Sequence, residues 1–430
     1  MKIRILTWFL LVCSCIGTLS AQSSVVLTLT ECYEKSEAHY PLIQQYGLLE
    51  STRDYTLSNL AKSWLPQISV HARASYQTDV TRLPFDGSKI SAFVPGFEVP
   101  ELSKDQYRLV AQLEQNIWNG GETRAAREVA LARIEAERAQ VDAQLYTLRS
   151  RINQLYFGCL LQQEFIRQNQ LLEQNLLNNL ERVEALMRNG LANPSDADRL
   201  QVELLRVRQQ AVELHSQLKS LRQLLGYFIN QPLTDTTELQ EPELPAARPH
   251  EEIFRPELRA VQAQSDWIEA QNRQITASLM PRFGAFVQGG YGRPGLDMLD
   301  DDFKPFCVLG VSMTWNFSSL YTMKNRRRQL AVNRKGIDVQ RETFLFNTRL
   351  QLLQQDAEIR KIEQLEQTDA EIVRLRTQIK EAAEVKLQEG VISVNDLVDE
   401  IYAENLARQQ AVTHRLQRLM TLYERMYTTN

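Results

Sequence analysis

Residues 189–203 read NGLANPSDADRLQVE and residues 389–404 read EGVISVNDLVDEIYAE, a close echo displaced by 200 positions. Each closes a run with few helix breakers: Glu122 to Asn189 holds no proline and one glycine, Gly158, and Ser318 to Glu389 holds no proline and one glycine, Gly336. At about 1.5 Å per residue each run reaches on the order of 100 Å as helix, well beyond the ~10–14 residues of an average helix. A compact globule cannot hold such rods. In each echo a glycine, Gly190 or Gly390, stands where a helix C-terminus favours a residue without Cβ. Ser195 with Asp198, and Ser393 with Asp396, then fit the capping pattern that starts a return helix.

Apolar residues along the first rod recur at steps of three and four, as in Leu145, Leu148, Ile152, Leu155 and Cys159. After the first turn the seam runs Leu200, Leu204, Val207, Ala211, Leu214, Leu218, Leu221 and Leu225. Sustained 3-4 spacing marks a coiled-coil seam rather than the wide apolar face of a globular helix. Alanines 125, 126, 130, 132, 136, 139 and 143 at the start of the first rod permit close approach by neighbours.

Four other segments alternate with period two. Ile68, Val70, Ala72, Ala74 and Tyr76 form the first and Leu109, Ala111, Leu113 and Ile117 the second. Phe283, Ala285, Val287 and Tyr291 form the third and Leu309, Val311, Met313, Trp315 and Phe317 the fourth. Period two over about ten residues predicts strands with one apolar and one polar face. Two readings fit: a soluble sheet packed on helices, or tilted membrane strands. Four strands cannot enclose a lumen, because about eight already give a barrel interior filled by side chains.

The halves match in order. Pro41 and Pro66 are separated by 25 positions, as are Pro256 and Pro281, and each second proline leads into a strand. The expected first half is 22–229: a helix, strand 67–77, loop 78–106, strand 107–118, long helix 119–188, tip turn 189–195 and return helix 195–229. A proline-rich linker, 230–255, joins it to the second half, 256–430: a helix, strand 282–291, loop 292–305, strand 306–317, long helix 318–388, tip turn 389–395 and return helix 396–428.

Residues 1–21 carry Lys2 and Arg4, an apolar run from Ile5 to Ile16, and small residues up to Ala21, which is the pattern of a signal peptide and predicts export. Cleavage after Ser20 or after Ala21 both fit, and Cys13 or Cys15 offers a lipid-anchored alternative. After residue 21 no run reaches the ~18–20 apolar residues of a membrane-spanning helix. Without Lys2 and Arg4, the 49 basic residues fall to 47 against 53 acidic, with no basic cluster beyond Arg326–Arg328, so nucleic acid is not expected as a partner. Cys32, Cys159 and Cys307 are too scattered for a disulfide framework or a metal site. The histidines 39, 71, 215, 250 and 414 are dispersed, with no nucleophile beside them. No enzyme site, cofactor or resident metal is expected, and few methionines argue against a dedicated copper or silver path.

The order of elements, with Arg255-Pro256-Glu257-Leu258, Trp118-Asn119-Gly120-Gly121, Tyr156-Phe157 and the two glycine turns, resembles the TolC-type outer-membrane efflux duct family over essentially all of 25–428. The resemblance implies a mainly α chain that forms a homotrimer. Four strands from each chain would build a shared 12-stranded β-barrel in outer-membrane lipid, and long helical hairpins a trimeric α-barrel below it in the periplasm of a Gram-negative cell. It implies a passive exit duct of a tripartite efflux pump or type I secretion system, opened by a periplasmic adaptor and an inner-membrane transporter. The adaptor would dock at the tips Gly190, Leu191, Gly390 and Val391. The echo is imperfect, since Arg199 aligns with Asp399, so only the second turn carries acids at i and i+3, Asp396 and Asp399. In a trimer these give two rings of three carboxylates, suited to a cation-binding constriction, while a helix N-terminus alone also favours acids there. Where the family carries an arginine two residues after the turn glycine, this chain has Ile392. The competing reading is a structural coiled-coil envelope protein without channel activity.

Overall fold

The computed structural model describes residues 26–80, 103–190, 192–234, 237–245, 252–297 and 300–430. The expected signal segment with Cys13 and Cys15, most of loop 78–106, and Leu191 lie outside the described residues. In chain order the elements are β1 (Val26–Leu27), α1 (Leu29–His39), a short 3-10 turn (Pro41–Ile43), α2 (Gln44–Lys62), β2 (Gln67–Tyr76), β3 (Asp105–Trp118), α3 (Glu122–Tyr146) and α4 (Leu148–Arg188). These are followed by α5 (Pro194–Phe228), β4 (Glu238–Leu239), α6 (Pro256–Ala277), β5 (Arg282–Arg293), β6 (Lys304–Thr314), α7 (Ser318–Gln388) and α8 (Val394–Thr429). The described residues divide into two compact units: a helical one drawn from 26–43, 143–255 and 345–430, and a sheet unit drawn from 44–142 and 256–344.

In the helical unit the 3-4 seam of α5 becomes core: Leu200, Leu204, Val207, Leu214, Leu218 and Leu225 are buried. One apolar cluster joins Leu27, Ile152, Tyr156, Phe157, Leu225, Ile229, Leu239, Leu416 and Leu419. A second joins Leu172, Leu176, Val183, Leu200, Leu204 and Val207 to Leu387, Val394, Leu397, Val398 and Ile401. Truncating any one of these leucines to alanine removes packing worth about 2–5 kcal/mol. The expected linker is not bare chain. Its β4 pairs in parallel with β1, and the fully buried Tyr156 hydroxyl lies 2.8 Å from the Leu27 carbonyl oxygen and 2.7 Å from that of Gln240, pinning both segments to α4. Burial pushes the Cys32 and Cys159 thiols up to about 12, so both behave as packing residues.

The single helix expected over 119–188 is two helices. At Thr147 the side-chain hydroxyl donates to the Gln144 carbonyl at 2.7 Å and the amide donates to the same carbonyl at 3.2 Å, so the α ladder is interrupted for one residue. A threonine hydroxyl competing for a backbone carbonyl produces this kind of local break. The first helix also starts at Glu122, because Gly120 and Gly121 adopt φ of +68° and +83° at the corner after β3.

The sheet unit holds one antiparallel sheet in the order β2-β3-β5-β6. Register across it is regular, apart from a bulge between Asn116 and Trp118: Ile68 pairs with Leu113, Leu113 with Val287 and Val287 with Leu309, while one step on Val70, Ala111, Gly289 and Cys307 form the next row of the same face. The alternate rows hold Gln67, Glu114, Phe286 and Gly310, then Ser69, Gln112, Gln288 and Val308. Phe286 and Phe306 lie over Gly310 and Gly290, where a Cβ would come within 3.0 Å and 2.2 Å of the rings. β6 ends at Thr314 rather than reaching Phe317, because the Trp315 indole N–H turns to donate to the Leu279 carbonyl at 3.0 Å.

Candidate functional site

Two features of the fold carry chemistry: the turns that close the helical hairpins, and the face of the sheet.

At the second turn α7 ends in a Schellman motif. Gly390, at φ +71°, donates its amide to the Leu387 carbonyl at 3.0 Å, and the Val391 amide donates to the Lys386 carbonyl at 2.9 Å. Ser393 then caps α8: its hydroxyl accepts the Asp396 amide at 3.3 Å, and the Asp396 carboxylate accepts both the Ser393 amide at 2.9 Å and its hydroxyl at 2.7 Å. Those two bonds hold the Asp396 carboxyl below the usual aspartate range. Asp399, one turn on, is exposed and has no hydrogen-bond or ion-pair partner among the described residues. The two acids are therefore unequal, one tied into the cap and the other open to solvent. Ile392 is partly buried against the second apolar cluster.

At the first turn Gly190 likewise stands in the left-handed region, at φ +74°, with its amide on the Met187 carbonyl at 3.0 Å. Its capping residue differs from the one expected. Asn193 is the N-cap and Pro194 the first helical residue, and the Asn193 amide donates to the Asp196 carboxylate at 3.0 Å. Ser195 and Asp198 lie inside the first turn of α5 instead. A proline at the first helical position has a preset φ and needs no amide partner, so it fixes the helix start one residue before Ser195.

Side-chain ties then lock the helices at this end of the helical unit. The Tyr402 hydroxyl on α8 donates to the Glu203 carboxylate on α5 at 2.9 Å, and Arg206 approaches the same carboxylate at 2.9 Å. Glu404 is 3% exposed and gathers Arg408 at 2.7 Å, Lys380 at 3.2 Å and the Thr377 hydroxyl at 2.8 Å. Burial alone would raise its pKa, but the Arg408, Thr377 and Lys380 partners outweigh it and hold the carboxyl below its ordinary value. Arg182 on α4 reaches Glu384 on α7 at 2.8 Å, and Arg376 on α7 reaches Glu400 on α8 at 3.3 Å. None of these groups was singled out from sequence. The available signal was a carboxylate at a seam position, since Leu397, Ile401 and Glu404 continue the 3-4 spacing with an acid in place of a leucine.

The sheet has an apolar face exposed to solvent in the single chain: Ile68, Val70, Leu309 and Val311 are 75%, 64%, 77% and 82% exposed. Aromatic residues flank this band. At the loop end Phe303 meets Tyr107 and Tyr291 at centroid distances of 6.1 and 5.7 Å, and at the opposite end Trp118 meets Phe283 at 5.8 Å and Trp315 meets Phe317 at 4.6 Å. An apolar band between two aromatic girdles is the pattern of a lipid-facing barrel wall. Among the described residues, both edge strands, β2 and β6, have one side unpaired.

Residues 33–227 match the family model described as outer membrane efflux protein. The structure of the outer-membrane channel OprN superposes with a TM-score of 0.67 at 16% identity, covering 94% of this chain and 90% of that one. The chain has the fold of the TolC-type outer membrane efflux proteins. Two further channels share this efflux-protein fold. CusC has a TM-score of 0.65 at 11% identity over 94% of this chain and 92% of its own, and the open state of MtrE from Neisseria gonorrhoeae has 0.62 at 16% over 93% and 88%. No curated protein sequence matches the chain. Among the described residues, no group of His, Cys, Asp and Glu side chains could hold a metal, and no helix is long and apolar enough to cross a membrane.

Proposed function

We propose that the protein is an outer-membrane exit duct, a passive conduit that works with an energised inner-membrane transporter through a periplasmic adaptor and has no enzymatic activity of its own. The observation that carries this is the sheet: an exposed apolar face between aromatic girdles, on four strands whose two edges are open. In lipid an unpaired edge leaves backbone groups unsatisfied at several kcal/mol each, and pairing β6 of one copy with β2 of the next removes every edge. Three copies give 12 strands, enough for a lumen. The family match and the shared fold support the same reading, as does the segment expected at 1–21 for export.

In this reading the glycine turns are the periplasmic tips. Gly190, Gly390 and Val391, with Leu191 outside the described residues, form the adaptor-docking surface. Asp399 supplies a ring of three free carboxylates at the mouth, while Asp396 serves first as a cap. The Tyr402–Glu203 and Glu404 ties hold the mouth closed at rest, in the role of an arginine latch, since Ile392 stands where the family carries that arginine. Purified protein added to a planar bilayer is expected to insert and give discrete conductance steps. A protein that neither inserts nor conducts would leave the coiled-coil scaffold as the better account.

A further inference from the structure

The polar face of the sheet is not uniformly neutral. Near the loop end one register row crosses all four strands as Arg73, Arg108, Gly292 and Lys304. Lys304 is ion-paired with Asp300, whereas neither Arg73 nor Arg108 has a carboxylate partner among the described residues. Among the described strand residues of that face Glu114 is the one carboxylate, and it lies six positions along β3 from Arg108, about 20 Å at the rise of an extended strand. Like charges directly opposite one another on paired strands are destabilising, so the Arg73–Arg108 pair opposes sheet stability unless an anion offsets it.

The surroundings hold the pair in place. The Arg108 guanidinium lies over the Phe306 ring, 5.7 Å from its centroid. Gly292 keeps the neighbouring position clear, since a Cβ there would stand 2.7 Å from the Tyr107 carbonyl oxygen. Next along the face, Gln77 and Gln106 exchange side-chain amide bonds of 3.1 Å in each direction. Arg73 and Arg108, with Ser75, Gln77, Gln106, Tyr107 and Arg293, the last ion-paired with Asp105, line a cavity of about 120 Å³. Of its three guanidiniums, the two without a carboxylate partner, Arg73 and Arg108, together with the Ser75 hydroxyl, match an oxyanion in a space of that size.

We propose that this row is an anion-binding band that admits the phosphate, sulfate or carboxylate group of a solute passing through the duct. The inference rests on the duct reading, in which the polar face lines the lumen and three copies repeat the row around it. The test uses the full mature protein in planar bilayers, with inorganic tripolyphosphate added on the loop side and the reversal potential measured in a KCl gradient. Tripolyphosphate is expected to block the wild-type current. Arg73→Ser with Arg108→Ser is expected to weaken block at least tenfold and to shift the reversal potential toward cation selectivity, while Arg73→Lys with Arg108→Lys retains block. Channels of normal conductance whose block and reversal potential are the same in the serine variant would overturn the band and leave the duct standing. Absence of any channel in the wild-type protein would overturn the duct reading, and the band with it.

Discussion

The Tyr402 hydroxyl donates to the Glu203 carboxylate at 2.9 Å, a bond between α8 and α5 that joins the second helical hairpin to the first near their turns. Burial, reinforced by the Glu203 carboxylate, pushes the tyrosine pKa up to about 12, so the phenol stays a donor throughout the physiological range. A hydrogen bond to a charged acceptor contributes about 1.5–3 kcal/mol. A double-mutant cycle of Tyr402→Phe and Glu203→Gln in thermal melts is expected to show a coupling of about 1–2 kcal/mol, and each single variant a higher mean single-channel conductance. Additive melts with unchanged conductance would remove this pair from the gate.

The Glu404 cluster gives the tip region a pH dependence. Its carboxyl titrates below its ordinary value in the folded chain, so its contribution is fully present above the unfolded pKa, near 4.5, and is lost as pH falls through the lower folded value. Melting temperature is expected to fall more steeply between pH 5 and the folded pKa in the wild type than in Glu404→Gln. At pH 7 that variant leaves Lys380 without its buried partner and costs about 3 kcal/mol. Parallel pH profiles for the two proteins would show that the cluster is not the source.

Two glycines should respond in opposite directions to one substitution. A Cβ at Gly390 meets nothing within 4 Å, but the residue sits at φ +71°, so Gly390→Ala costs about 1 kcal/mol through backbone strain alone. Gly336 lies inside α7 with equally open space and no positive φ, so Gly336→Ala stabilises by about 0.5–1 kcal/mol. Chemical denaturation of both variants checks the signs.

The two acids of the second turn separate by role. Asp399→Asn is expected to weaken block by multivalent cations while leaving the melting temperature unchanged. Asp396→Asn is expected to lower the melting temperature through the lost Ser393 bonds. Unchanged cation block in the Asp399 variant would return that residue to an ordinary helix-terminus role.

Much of this architecture was legible because it is written in periodicity. The seam from Leu200 to Leu225 and the alternation from Ile68 to Tyr76 are local patterns that burial and pleating preserve, and glycines at 190 and 390 mark turns that need a left-handed residue. Features set by competition between neighbours were harder to read. Thr147 breaks a helix because its hydroxyl happens to reach Gln144, and Pro194 moves the cap from Ser195 to Asn193. The pairing of β1 with β4 under Tyr156, and the Tyr402–Glu203 bond across 199 positions, depend on tertiary placement, which a single sequence leaves unspecified.

The central claim is that the sheet is one part of a shared barrel, and the native mass of the detergent-extracted protein from an outer-membrane fraction tests it most directly. The account predicts a particle of three chains that stays in the membrane fraction until detergent releases it. A water-soluble species, or a membrane-bound single chain, would contradict it, because a lone four-stranded sheet with two open edges has no stable place in lipid.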